Sequence, residues 1–266
     1  MTEAARVTWV FLRGLTRESA HWGDFPQSFQ RALPACEVVV LDLPGNGVLH
    51  PHQSPWSIAP MVEFCRAELL RKGCPPPYRV LAMSMGAMVA AQWAHTAPQE
   101  LDGAVLINTS FRPFSPFYQR LRPVNYGRLV RLMVLRPSDD ALEQEVLHMT
   151  SNHGDRHREA LAEWVAIRQR RPVGAGNAFR QLVAAARFSA SRQAPQCPVL
   201  LLGSERDRLV SANCTRTIAQ HWGAPAALHP DAGHDLPLDD PQWVIKQIQC
   251  WLNAANSASL NAATSA

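Results

Sequence analysis

The sequence predicts an α/β fold: a mainly parallel sheet flanked by helices, with a helical cap insertion. Three observations predict it. Short apolar runs rich in β-branched residues alternate with helical stretches as far as residue 110. One such run leads directly into Ala82-Met83-Ser84-Met85-Gly86, and a helical stretch follows at once. The alternation then gives way to helical stretches alone and resumes near residue 199.

The elements follow in order. Residues 7–12 form an apolar run, read as a buried strand that ends at Arg13-Gly14-Leu15. A short helix is expected over 24–33, broken by Pro34. Residues 37–41 (EVVVL) read as a second buried strand, ending in the loop Asp42-Leu43-Pro44-Gly45-Asn46-Gly47. Over 57–72, Ile58, Met61, Val62, Cys65 and Leu69 share one helical face, with Ser57 as N-cap. Gly73 and Pro75-Pro76-Pro77 stop that helix. The third strand, 79–82, runs into the Ser84 turn, and 87–97 is a helix of small residues suited to close packing on a sheet. Residues 101–108 complete a β-α-β-α-β-α-β order, which argues for a parallel sheet wrapped on both faces. Ligands of such sheets bind beyond the carboxyl ends of the strands, where Arg13, Asp42, Ser84 and Asn108 all stand.

From 111 to 195 the strand signal fades. Helices are expected at 129–135, 140–150, 156–170 and 177–189. This stretch holds fourteen arginines and no lysine against seven acids, and it reads either as a basic cap over the site or as an ordinary solvated face. A fifth strand at 199–203 leads to Ser204-Glu205-Arg206-Asp207-Arg208. A helix at 211–222, a short strand at 226–229, the loop Asp231-Ala232-Gly233-His234-Asp235 and a closing helix at 243–252 follow. The division is thus a core over 1–110 and 196–255, a cap over 111–195 and a disordered tail over 256–266.

Composition excludes several classes. The 266 residues carry a formal charge of +4, nearly all from arginine, since Lys72 and Lys246 are the only lysines. There is no basic block or zinc spacing, so nucleic acid is not an expected partner. The six cysteines are scattered with no C-x-x-C pair and read as small core hydrophobes. No leader pattern is visible and no apolar run approaches the ~18 residues of a membrane span. A cytoplasmic protein without membrane contact is the expectation. His153 and His157 share an i, i+4 spacing that can bind metal, but no third ligand accompanies them, so no metal and no cofactor are expected.

Ser84 sits in the sequence form of a nucleophile elbow, with small residues two before and two after it. A serine hydroxyl needs a base within reach, and the base needs a carboxylate to hold its tautomer. Ser84, Asp207 and His234 supply the set, each just after a strand. Asp231 is the alternative acid.

These pieces resemble the α/β-hydrolase superfamily: FLRGL after the first strand, LDLPGNG after the second, AMSMGAMVA at the elbow, LLGSERDRLV at the acid and DAGHDLPLDDP at the histidine. The resemblance covers 7–110 and 196–252, and is loosely closest to small carboxylesterases such as pimeloyl-ester hydrolases. It implies an α/β-hydrolase fold with Ser84 as nucleophile, Asp207 as acid and His234 as base. It also implies an oxyanion hole made by the backbone N–H groups of Met85 and Leu15. Two departures stand out. Ala82 replaces the first glycine of the elbow, and Arg13 replaces the histidine that commonly precedes Gly14; Arg13 either pairs with an acid or faces the substrate. Phe111, Phe114, Phe117, Tyr118 and Trp164 are candidates for an apolar substrate wall, or equally for the core of the cap. The expected reaction is hydrolysis of a small carboxylic ester or thioester through an acyl-enzyme. Lactone or C–C bond hydrolysis, a lyase reaction, or a low-turnover ligand sensor are the alternatives. The arginine excess suggests an acyl chain with a negative group or carrier.

Overall fold

The computed structural model describes residues 6–135, 137–153 and 157–264. Strands β1 (Val7–Leu12), β2 (Cys36–Leu41), β3 (Tyr78–Met83), β4 (Leu101–Ile107), β5 (Val199–Ser204) and β6 (Ala226–His229) form one sheet. Its order is β2-β1-β3-β4-β5-β6, and every neighbouring pair is parallel. Helices α1 (Phe25–Ala32), α2 (Ala59–Arg71) and α3 (Met85–Thr96) make the first crossovers. Between β4 and β5 lie α4 (Phe117–Arg120), α5 (Tyr126–Leu135), α6 (Asp139–Thr150), α7 (Arg158–Arg170) and α8 (Ala175–Arg187). Helix α9 (Ala212–Trp222) follows β5, and α10 (Leu236–Asp239) and α11 (Pro241–Thr264) follow β6.

The alternation of side chains along each strand sorts the core into two layers. Val10, Leu12, Val80, Ala82, Ala104, Leu106 and Leu201 meet α2, α3 and α9 on one face. Trp9, Phe11, Leu81, Met83, Val105, Ile107, Leu200 and Leu202 meet α1 and α11 on the other. Burial on both faces is why these strands read as continuous apolar runs. The two ends of the helical insertion close on each other, where Ala190 N–H donates to Arg112 O (2.7 Å).

Two expectations are corrected. Ser57 is not the N-cap of α2; that place falls to Ile58, whose side chain makes no capping bond. Pro60 stands in the first turn, where its missing N–H removes no helical bond. The closing helix runs to Thr264, well past the expected end at 252. Residues 253–264 contain no Gly or Pro and are rich in Ala, so nothing local stops the helix. Positions 154–156, where a helix start was expected, and the last two of the tail lie outside the described residues.

The strand order reverses between β1 and β3, because β1 passes to β2 on one side and the chain then returns to the other. The loops after β1 and β3 therefore diverge and leave a crevice at that point. The core layer under α1 and α11 includes an aromatic group: Phe11 lies between Trp22, Phe25 and Phe29, with ring centroids 5.1–5.8 Å from its own. Phe11 is fully buried. Phe11→Ala should lower the unfolding free energy by about 3–5 kcal/mol, read from urea denaturation.

Candidate active site

Ser84 joins β3 to α3 with φ 55° and ψ −117°, a left-handed conformation that costs a non-glycine residue roughly 1–3 kcal/mol. The surroundings hold it there. Ser84 N–H donates to Ile107 O (2.9 Å), and Thr109 Oγ1 donates to Ser84 O (3.0 Å). Gly86 is required by close approach, since a Cβ there would lie 2.6 Å from the carbonyl oxygens of both Leu12 and Arg13. Ala82 is accommodated: it is fully buried and paired with Leu12 and Leu106, where a methyl belongs to the core. Met85 opens α3, so its N–H has no acceptor within the helix.

Asp207 and His234 meet at the carboxyl ends of β5 and β6. Asp207 Oδ2 lies 2.7 Å from His234 Nδ1, and both side chains are buried. Asp207 Oδ1 accepts from Leu209 N–H (2.7 Å) and Val210 N–H (3.0 Å), so the carboxylate cannot rotate without losing three partners. Asn108, at φ 45°, holds the histidine loop: its Nδ2 donates to His234 O (2.8 Å) and lies near Ser204 Oγ and Gly233 O. Ser84 and His234 are thus anchored to adjacent residues, Thr109 and Asn108, at the end of β4. Asp231 lies apart, half-exposed and paired with Arg206 (3.3 Å).

The loop after β1 crosses the crevice, with Gly14 so close to Ser84 that an added Cβ would sit 3.1 Å from Ser84 Cβ. Its residues are fastened on three sides. Arg13 is buried and forms a bidentate pair with Asp235 (3.0 and 2.5 Å), so it faces an acid and not open solvent. Thr16 N–H, at φ 57°, donates to Oε1 of Gln181 on α8 (2.8 Å), and Gln181 Nε2 donates to Asn46 Oδ1 and Ser54 Oγ. Arg17 donates to Glu143 of α6 (2.6 Å) and lies over the Trp164 ring (4.3 Å). Leu15, between these anchors, is half-buried.

Of the five aromatics that read equally as substrate wall or as packed core, three are packed in the interior. Phe111 is fully buried and packs on Phe188 and Trp222 (5.6 Å each). Phe114 packs on Trp222 and His221, and Trp164 is buried under Arg17 beside Leu147 and Ile167. Phe117 and Tyr118 are 71% and 51% exposed on α4. Phe114 and Phe117 border a surface recess of about 580 Å³ whose lining includes none of Ser84, Asp207 and His234. Of the two roles left open for Arg13, an acid partner or the substrate, the structure shows the acid, Asp235. His157, half of the possible metal pair, lies 3.3 Å from Asp239. Sequence reasoning missed Asp235, Gln181, Glu143 and Asn46. Each is a polar residue whose burial only the folded chain reveals, so no local pattern could have found it.

Several charges are perturbed. Burial works to raise the Asp235 pKa, but Arg13 outweighs it, helped by Arg17 and His234, and the carboxyl lies below its ordinary value. Burial pushes Glu18 up, with Arg171 opposing. Burial holds His21 well below 6.5, reinforced by the positive charges of Arg17 and Arg13.

The sequence profile of the alpha/beta hydrolase family matches residues 9–247, and the chain belongs to that family. No curated protein matches at a significant level. Among solved structures, a thermophilic esterase from Thermogutta terrifontis superposes with a TM-score of 0.71 at 20% identity, over 94% of this chain and 91% of that one. An enol-lactonase from Burkholderia xenovorans superposes with a TM-score of 0.76 at 17% identity, over 95% and 94%. An esterase from a Rhodococcus species gives 0.73 at 17% identity, over 94% and 91%. At such identities the likeness is one of fold. Among the described residues no helix is long and apolar enough to cross a membrane.

Two outcomes are expected. Gly86→Ala should displace the β1 loop and reduce any hydrolytic turnover at least ~100-fold, because misplacement by about 1 Å costs that much; assay of a p-nitrophenyl ester checks it. Folded His21 stays neutral while unfolded His21 takes a proton below about 6.5, so the unfolded state binds more protons there. Stability should therefore fall as pH drops below about 6.5, and His21→Gln should flatten that slope in urea titrations at pH 7, 6 and 5.

Proposed function

We propose that this chain is a serine hydrolase that cleaves carboxylic esters or thioesters through an acyl-enzyme on Ser84. The observation that carries the reading is the buried Asp207–His234 pair at 2.7 Å, whose histidine loop is held by Asn108, next in sequence to the Thr109 that holds the strained Ser84. Asp207 would hold the His234 tautomer with a proton on Nδ1, leaving Nε2 to accept the proton of Ser84 Oγ as it attacks the carbonyl carbon. The tetrahedral oxyanion would rest on the N–H groups of Met85 and Leu15, each such donor lowering the barrier by roughly 2.7–4 kcal/mol. His234 would then protonate the departing alcohol or thiol. A water deprotonated by the same imidazole attacks the acyl carbon, and Ser84 leaves with its proton restored.

The substrate is proposed as a small molecule. The arginines of the insertion need no anionic ligand to account for many of them. Arg122 donates to Asp207 O, Arg120 to the carbonyls of Ala185 and Ala186, and Arg168 and Arg171 pair with Asp139 and Glu18. An uncharged acyl group is therefore the favoured reading.

A fluorophosphonate probe should label the protein, and Ser84→Ala should abolish labelling while circular dichroism is unchanged; persistent labelling would move the nucleophile elsewhere. Asp207→Asn should lower kcat about 10⁴-fold, as expected when the tautomer-holding acid is lost. Esters of increasing acyl length, with and without a terminal carboxylate, should show no more than a threefold preference for the charged series. A large preference would restore the arginines as ligands.

A further inference from the structure

We infer that the Arg13–Asp235 pair positions the oxyanion-side loop against the histidine loop, making both residues positioning residues of the hydrolytic site. The inference rests on Ser84 being the nucleophile. The two residues lie 222 positions apart, yet each adjoins a reacting group: Arg13 precedes Gly14 and Leu15, and Asp235 follows His234. Their side chains are 2% and 3% exposed and joined by two N–H···O bonds, from Nη1 to Oδ1 and from Nη2 to Oδ2. A planar fork on a carboxylate fixes orientation as well as distance, which a single point charge does not.

Each half of the fork is held from behind. The Arg13 guanidinium lies 4.8 Å from the centre of the Trp22 ring, with Nη1 3.5 Å from Met83 Sδ. Asp235 N–H donates to Thr150 O at the end of α6 (2.8 Å). The backbone of Arg13 meanwhile lies against Gly86. The loop that carries Leu15 is therefore seated on the elbow by its backbone and tied to the histidine loop by its first side chain. That arrangement sets the separation between the Leu15 N–H and His234. Donors must fall about 2.7–3.1 Å from the developing oxyanion, so this separation bears on rate more than on ground-state binding.

A buried ion pair kept only for stability can be replaced by apolar groups at little loss, and this separates positioning from mere support. The double variant Arg13→Met, Asp235→Leu, with a wild-type melting temperature, should show kcat on p-nitrophenyl acetate reduced about 100-fold and KM within about threefold. Arg13→Lys should recover part of the rate by keeping the charge without the fork. A folded double variant with kcat within twofold of wild type overturns the inference. If the double variant does not fold, the isosteric Asp235→Asn decides: a fall of tenfold or more supports positioning, and anything smaller refutes it. Fluorophosphonate labelling of wild type and of Ser84→Ala is run alongside. Wild type left unlabelled, or Ser84→Ala still labelled, sinks the nucleophile reading and this inference with it. Normal labelling with an unaffected double variant sinks this inference alone.

Discussion

The site depends on one close approach: the backbone of Leu12 and Arg13 resting on Gly86. Their carbonyl oxygens occupy the space where any side chain at 86 would stand. That contact lies where the strand order reverses, between the parallel neighbours β1 and β3, so the loops that leave them run to opposite sides. It brings Gly14 against Ser84. The strained φ of Ser84 belongs to the same arrangement, since the turn must reverse within a residue to start α3 beneath the loop. A methyl two residues earlier, at Ala82, does no harm because that side faces the packed core.

A loop seated by backbone contact alone would be free to lift, and three polar ties prevent this. Two are buried ion pairs, Arg13–Asp235 and Arg17–Glu143; the third is the uncharged bridge from Gln181 to Thr16. Buried charges are costly to desolvate and are tolerable here because each guanidinium meets a carboxylate and an aromatic face, Trp22 for Arg13 and Trp164 for Arg17. Two of the ties reach into the helical insertion, through α6 and α8. The insertion is thus joined to the loop beside the nucleophile, and its helices contribute to the geometry of the site.

Much of the architecture was legible in advance because strands buried on both faces and the helix of small residues leave strong local patterns. The elbow could be read from small residues around Ser84, and the order of Ser84, Asp207 and His234 from their places after strands. The expected end of α11 at 252 fell short because no Gly or Pro marks a boundary in the Ala-rich stretch that follows. The choice between wall and core for the aromatics stayed open because apolar side chains carry no mark of which cavity, core or surface they will meet.

The sequence by itself determined the sheet, its helices and the positions of the candidate nucleophile, base and acid, since these depend on periodicity and on residue type at strand ends. Tertiary structure alone decided what Arg13 does. Its partner lies 222 residues away, and nothing near either residue announces the other. The same holds for Gln181 with Thr16 and Glu143 with Arg17. A buried polar group takes whatever partner the packed chain brings within hydrogen-bonding distance, and that distance is set by the whole fold and by no local run of residues.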